Sequence, residues 1–210
     1  QIIDLGCGSG VVSAALCGEG YRITGIDGHI DLLRCAARRA PSASFIAYDL
    51  TQSLTKLELP DADVVALFDV IEHLDAPAEA LRSAASLLRS GGLIVGTVPA
   101  SMRLWSQSDT DDGHRVRYEE ASLRAVFAAA GLRPRRVVSF HRSLFPLLFL
   151  QRRLLRSGAR GERGSRVVVP PLSLNSALFG LCRLERRAPR LAPWPATSLF
   201  FAAAPGWKRT

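Results

Sequence analysis

The sequence predicts an α/β protein, a doubly wound and mostly parallel sheet with helices on both faces. Two observations lead there. Short apolar runs alternate with helix-patterned segments over the first two-thirds of the chain, and Gly, Pro or Asp bounds the runs. With 210 residues, 48% hydrophobic and 22% charged, the chain falls among ordinary globular proteins and is long enough for one buried core.

The elements follow in order. Strands are expected at Ile2–Leu5, Arg22–Asp27, Ser44–Tyr48, Val64–Asp69 and Leu93–Val98, each a short apolar run. Helices are expected near Val11–Glu19, Ile30–Arg39 and Pro77–Arg89. In the last of these, Ala80, Leu81, Ala84, Leu87 and Leu88 share one face, and Gly91-Gly92 is read as the stop. Another helix, Glu119–Ala130, carries Leu123, Val126 and Phe127 on one face, with Gly131 ending it. A strand near Pro134–Phe140 and a closing run Ser198–Ala203 bring the sheet to seven strands. The segment 142–195 is an insertion before the last strand. With no glycine- or serine-rich linker to separate it, it reads as an elaboration of a single domain, 1–210.

Several function classes are disfavoured by composition. Cys7, Cys17, Cys35 and Cys182 have neither C-x-x-C spacing nor histidines at zinc-ligand intervals, which fits a reducing cytoplasm. There is no run of eighteen apolar residues and no signal-peptide pattern. The chain opens directly on a strand-like run, so residues are expected to precede Gln1 in the natural protein.

The chemistry starts at Asp4-Leu5-Gly6-Cys7-Gly8-Ser9-Gly10. A glycine loop between a buried strand and a helix lets backbone approach a ligand closely, and the helix start offers unpaired N–H groups. A dinucleotide fingerprint would need G-x-G-x-x-G, but Val11 stands where its third glycine would fall. An acid such as Asp4 at the mouth of the loop would repel a pyrophosphate and welcome a cation. Asp27 closes the next strand about 20 residues on, where nucleoside-binding α/β folds place a carboxylate for the ribose hydroxyls. Capping of the helix near Ile30 is its alternative role.

With Asp4, Gly6, Gly8 and Gly10 in the form D-x-G-x-G-x-G, the sequence resembles class I S-adenosylmethionine-dependent methyltransferases. Phe68-Asp69-Val70-Ile71-Glu72-His73-Leu74 resembles the pattern of the ubiquinone- and menaquinone-type members. The resemblance implies a Rossmann-like methyltransferase fold with an antiparallel last strand entering the edge, and S-adenosylmethionine as cofactor. It implies that Asp4, Gly6, Cys7, Gly8 and Gly10 floor the cofactor and that Asp27 with Gly28 holds its ribose. Asp49 and Leu50 would meet the adenine, although Asp49 also reads as a turn residue. Phe68 and Asp69 would line the pocket. In this family a helix usually precedes the first strand.

His73 lies at a strand end, near the expected methyl group, with a pKa suited to taking a proton from a hydroxyl. Packing or helix capping is its competing role. Asp69, Glu72 and His73 also resemble the cluster through which quinone-pathway O-methyltransferases hold a divalent cation. Asp stands first here where those enzymes have Glu, and such a ligand set suits many metals, so no metal is assigned. Gly113-His114-Arg115-Val116-Arg117-Tyr118, after Leu104-Trp105-Ser106, resembles a segment by the active-site mouth of related enzymes. His114, Arg117 and Tyr118 are candidates for substrate contact or proton transfer, or else form a polar turn.

The net charge of +8 is uneven: residues 1–131 carry −6 and 132–210 carry +14. Within the insertion, Leu144–Leu150 runs straight into Gln151-Arg152-Arg153-Leu154-Leu155-Arg156. Apolar bulk beside clustered Arg suits an anionic membrane surface, a lid over a greasy substrate, or a core helix with a solvated end. The expected partner is therefore a small or lipid-like methyl acceptor, O-methylated, with peripheral contact to the inner membrane face through 142–195. The absence of an N/D-P-P-Y/F motif and of a Pro-Cys nucleophile disfavours nucleobase chemistry, though the basic tail leaves RNA methylation as an alternative. A non-catalytic cofactor-binding or scaffold protein is another, and a nicotinamide-dependent oxidoreductase a more distant one.

Overall fold

The computed structural model describes residues 1–156, 171–188 and 193–206. Its elements are β1 (Ile2–Leu5), α1 (Val11–Gly18), β2 (Ile23–Asp27), α2 (Ile30–Arg39), β3 (Ser44–Ala47), β4 (Ala62–Phe68) and α3 (Pro77–Ala85). They continue with β5 (Leu88–Pro99), α4 (Gln107–Asp111), α5 (Glu120–Ala129), β6 (Leu132–Phe140), α6 (Phe145–Arg156), α7 (Leu172–Arg187) and β7 (Ser198–Pro205).

The strands form one seven-stranded sheet in the order β3-β2-β1-β4-β5-β7-β6. Pairs from β3 to β5 are parallel, and β7 runs antiparallel to both β5 and β6. This is the expected class, with one difference in placement: β7 slots between β5 and β6, so β6 is the edge. Pro134, which has no N–H to give, sits at a register shift in that edge strand, where a missing ladder donor costs least. Every residue of β1 and β2 is buried, as central parallel strands covered on both faces require. Ile3, Leu5, Ile26, Val65, Leu67 and Ile94 pack with Leu81, Leu123, Phe127 and Phe201 into the main core.

The α3–β5 junction departs from the sequence expectation. The helix ends at Ala85, where Ser86 hydrogen-bonds back through its side chain to the Ser83 carbonyl. Leu88, whose spacing continues the helical stripe, instead pairs with Ala62 on β4. Gly91 and Gly92 are therefore an irregularity inside β5, not a helix stop. Gly91 has φ +81°, and a side chain on Gly92 would press on the Asp63 and Ala62 carbonyls at 3.0 and 3.1 Å.

The apolar run of the insertion lies in α6. Residues 157–170 and 189–192 of the insertion, and the side chains of Leu154, Leu155 and Arg156, lie outside the described residues. Among the described residues no helix is long and apolar enough to cross a membrane, and the four cysteines are unpaired.

Candidate active site

The strand order reverses at β1, with β2 on one side and β4 on the other, and ligands of open α/β sheets bind at the carboxyl ends of strands at such a point. The segments following β1, β2, β3, β4 and β5 all emerge at that end; His114, Arg117 and Tyr118 come from the last of these, and the other sequence-derived candidates sit at the ends of the first four strands or just beyond them.

The glycine loop occupies the switch point. A side chain at Gly6 would fall 2.5 Å from the Val70 Cγ2, so this glycine lets the loop lie against the exit of β4. Gly10, at the start of α1, is pressed on α2: a Cβ there would meet the Ala36 Cβ and Cα at 2.7 and 2.8 Å. Gly8 faces open space, with nothing within 4 Å of the same position. The loop thus has two glycines packed on the protein and one turned to the crevice.

Asp27 fastens this loop. Its Oδ2 accepts the Gly8 N–H at 2.9 Å and its Oδ1 the His29 N–H at 2.8 Å. Arg39, from the last turn of α2, donates to the Ser9 carbonyl and to Ser9 Oγ. The sequence reading put Asp4 at the mouth of the loop, whereas the structure buries it beneath. Its Oδ2 accepts from Ser13 Oγ at 2.6 Å, and burial pushes its carboxyl up to about 6, against the pull of Ser13 and with a contribution from Asp27. The buried Cys7 thiol is pushed up to about 12 by burial and by Asp4 and Asp27, which makes it a packing group.

Beyond Asp27, Gly28 is exposed and would tolerate a Cβ, with only the Tyr48 carbonyl near at 3.8 Å. Asp49 holds a turn: its Oδ1 accepts from the Thr51 N–H at 2.9 Å and the Thr51 hydroxyl at 2.8 Å, bonds that hold its carboxyl below the usual range. Leu50 and Phe68 are half-buried against the two apolar clusters. Asp69 is exposed at φ +54°. Ser101, after β5, has φ +63°, so two neighbouring strand ends hold a non-glycine residue in the left-handed region, a form of strain that collects at functional sites.

The exit of β4 carries two further titratable groups, Glu72 and His73. The Glu72 side chain is fully buried, neither oxygen has a hydrogen-bond partner, and burial pushes its carboxyl up to about 8. His73 is half-buried, and its imidazolium is disfavoured by burial and by the facing His114. The two rings meet edge to face, centroids 4.7 Å apart. Arg115 clamps the 113–118 segment to this exit, donating its N–H to the Glu72 carbonyl at 2.8 Å and Nε to the His73 carbonyl at 3.0 Å. Tyr118 pairs with the end of β5 as an isolated bridge to Ala100. It lies under the site: its hydroxyl donates to the Ile71 carbonyl at 3.4 Å, and burial with the nearby Glu72 pushes it up to about 12. That position makes it a support rather than a proton carrier.

Glu72, His73 and His114 each offer a ligand atom within 4.8 Å of the others. One carboxylate and two imidazoles suit zinc and other borderline divalent cations, and an orphaned buried carboxylate fits such an ion. Asp69, paired with Glu72 and His73 in the sequence reading, stands outside this group, and His114 takes the third place.

Sequence reasoning missed Asp109. This buried carboxylate accepts from Arg117 Nε at 2.6 Å, from the Ser106 N–H at 2.9 Å and from Arg152 at 3.2 Å, and stands 3.1 Å from His114 Nδ1. Burial works against its charge, yet the Arg117 guanidinium and the other donors hold it below the usual carboxylate range. The only readable signal was the capping box from Ser106 to Asp109.

A glycine loop at the switch point of such a sheet, tied to an Asp at the end of the neighbouring strand, is the arrangement of a class I S-adenosylmethionine-dependent methyltransferase fold. The sequence model of the family described as "Methyltransferase domain" matches residues 1–137. The chain belongs to this methyltransferase-domain family, and S-adenosylmethionine is the cofactor that goes with it. Among curated relatives, it is 36% identical over 97 residues to the ubiquinone biosynthesis O-methyltransferase of Colwellia psychrerythraea, covering 45% of this chain and 39% of that one. An S-adenosylmethionine-dependent methyltransferase from Archaeoglobus fulgidus superposes with TM-score 0.60 at 18% identity, covering 96% of this chain and 84% of the other. The magnesium protoporphyrin IX methyltransferase of Synechocystis, solved with bound S-adenosylmethionine, gives TM-score 0.51 at 21% identity, covering 66% and 62%.

Proposed function

We propose that this protein transfers the methyl group of S-adenosylmethionine to a hydroxyl oxygen of a small acceptor. The observation that carries the reading is the contact of Gly6 with Val70. It seats the glycine loop directly against the segment that presents Glu72 and His73, joining a cofactor floor to a proton acceptor. The cofactor supplies an electrophilic methyl on a sulfonium.

The residues of the chain then do the rest. Each Asp27 oxygen accepts one backbone N–H and keeps further acceptor capacity for the ribose hydroxyls. Gly8 and Gly28 leave room for the nucleoside, Asp49 and Leu50 border the adenine, and Phe68 walls the crevice. Asp69 adds negative charge near a cationic ligand. His73, held neutral by its surroundings, takes the acceptor's hydroxyl proton. His114, turned by Asp109, fixes the orientation of His73 across the ring contact. Alignment of the acceptor oxygen with the methyl carbon supplies most of the acceleration.

The test is incubation of the protein with the cofactor and a panel of catechols and phenolic acids, read by mass spectrometry. A gain of one methyl on oxygen is expected. Cofactor binding without any transfer would favour the non-catalytic alternative.

A second reading rests on the unpartnered Glu72. Glu72, His73 and His114 are placed to hold a divalent cation, whose charge would acidify a bound hydroxyl in place of a histidine base. Chelation separates the two: activity that survives EDTA belongs to the histidine. The curated relatives' small-molecule chemistry favours such an acceptor here. For a peripheral membrane role, the support is the outward set Leu172, Leu174, Phe179, Leu181 and Leu184 on α7, beside Arg183, Arg186 and Arg187. Co-sedimentation with anionic but not neutral vesicles is the expected result, and indifference to lipid charge would remove this role.

A further inference from the structure

Next to the proposed active site, the segment from Trp105 to Thr110 and the helix α6 enclose a cavity of about 650 Å³ that the methyl-transfer chemistry described above leaves unused. A second, of about 190 Å³, adjoins it, and Trp105 and Arg152 line both. The described residues around the two spaces carry three guanidiniums, those of Arg103, Arg152 and Arg153, and no carboxylate. Apolar surface stands beside this charge. Leu148 and Trp105 line the larger cavity, and Phe149 lies under Arg103 and Arg153 at 5.5 and 4.9 Å from ring centroid to guanidinium carbon.

Asp111 and Asp112 accept from the lining residues Gln107 and Ser108, while Asp109 lies buried behind the larger cavity and is already shared. Two guanidiniums, of Arg117 and Arg152, meet its single negative charge, leaving the cluster one positive charge in excess. Arg152 gives one N–H to Asp109 among the contacts described, out of the five a guanidinium carries. Burial and the neighbouring Arg117 both work against its charge, so a second anion would relieve it. Asp109 also ties the cavity to the reacting end of the site, since the same carboxylate that meets Arg152 through Oδ2 meets His114 through Oδ1.

We propose that this paired cavity is an acid subsite, and that the methyl acceptor is an aromatic or otherwise apolar hydroxy compound bearing a carboxylate or phosphate that pairs with Arg152. This rests on the methyl-transfer reading and adds the substrate class. In the bound arrangement the acidic group lies between Trp105 and α6, and the hydroxyl reaches toward His73 and His114. Planar, two-pronged recognition of an oxyanion is what a guanidinium offers and an ammonium does not.

The experiment uses the whole chain and three probes: 3,4-dihydroxybenzoate, its uncharged carboxamide, and phenyl phosphate. Binding is followed by calorimetry and by tryptophan fluorescence, and S-adenosylmethionine affinity is measured separately. At least one acid should bind about tenfold or more tighter than the amide. The preference should vanish in Arg152→Gln and persist in part in Arg152→Lys, with cofactor affinity unchanged in both. The tighter of the two acids identifies carboxylate or phosphate as the group recognised. An amide that binds as well as both acids overturns the proposal, and so does an acid preference that survives in Arg152→Gln. Should Arg152→Gln fail to fold, the comparison of acids with amide on the unaltered protein decides alone. Failure of S-adenosylmethionine to bind would remove the methyl-transfer reading and leave the acid preference measurable on its own.

Discussion

Asp27 and Gly8 are joined by a hydrogen bond of 2.9 Å that crosses from the end of β2 to the tip of the glycine loop. The carboxylate therefore shapes the loop before any ligand arrives, in addition to the ribose role we propose for it. Asp27→Asn puts a donor where one of two backbone donors must be accepted, and Asp27→Ala removes both acceptors. Calorimetry should show S-adenosylmethionine affinity falling roughly tenfold to a hundredfold in either variant, since hydrogen bonds to charged groups contribute about 1.5–3 kcal/mol. Circular dichroism should show the fold retained.

The three loop glycines should separate stability from binding. Gly10→Ala drives a methyl into Ala36, backbone included, and is expected to cost about 1–3 kcal/mol in urea unfolding. Gly8→Ala meets nothing, so its stability loss should be near the low end of that range. Its methyl points into the crevice, and cofactor affinity should fall much further than stability does.

Glu72 gives the protein a signed pH dependence. Its carboxyl titrates at about 8 in the fold against an ordinary 4.5, so between those values the folded chain holds a proton that the unfolded chain has released. Its contribution is fully present below 4.5 and is lost as pH rises toward 8, at up to about 1.4 kcal/mol per unit. Thermal melts from pH 5 to 9 in EDTA should show this decline, and Glu72→Gln should flatten it. A decline of the same slope in the variant would assign it to other groups.

His73 should leave its mark on the rate. Because burial and His114 disfavour its imidazolium, the rate should rise with pH to a plateau, with its midpoint below the ordinary histidine pKa of 6.5. His73→Gln should lower kcat by about 10²–10⁴ with little change in cofactor affinity. A rate that persists in His73→Gln and is abolished by EDTA would shift the chemistry to a metal.

Much of the fold was legible because the parallel strands are short apolar runs with sharp ends, and Asp27 stood at one of those ends. The α3–β5 boundary was not, because Leu87 and Leu88 fit a helical stripe as well as a strand, and only pairing with Ala62 decides. Of the site, the glycine loop was readable from its spacing together with Asp4 before it, Val11 after it and Asp27 at the next strand end. The meeting of His73 with His114 was not, since it depends on Arg115 drawing a distant segment onto the exit of β4. Asp4 and Tyr118 carry the right chemistry for the roles first suggested, and burial sets them beneath the site. Beyond the capping spacing from Ser106, nothing in local sequence distinguishes a buried Asp109 from the exposed acids that follow it.

The position of β7 bears on how the chain is made. Emerging from the ribosome in order, β5 can pair with β4 but lacks its second neighbour, and β6 lacks its partner in the sheet, until Ser198–Pro205 has been synthesised, since that strand lies between them. Until then the nascent sheet ends at Leu88–Pro99 with an unpaired, apolar edge, the kind of template on which chains aggregate. Completing it requires closure across the whole 142–195 segment, a long-range step of the sort that slows folding. The residues beyond those that match the methyltransferase-domain family thus set the time during which the matching part is exposed to misassembly.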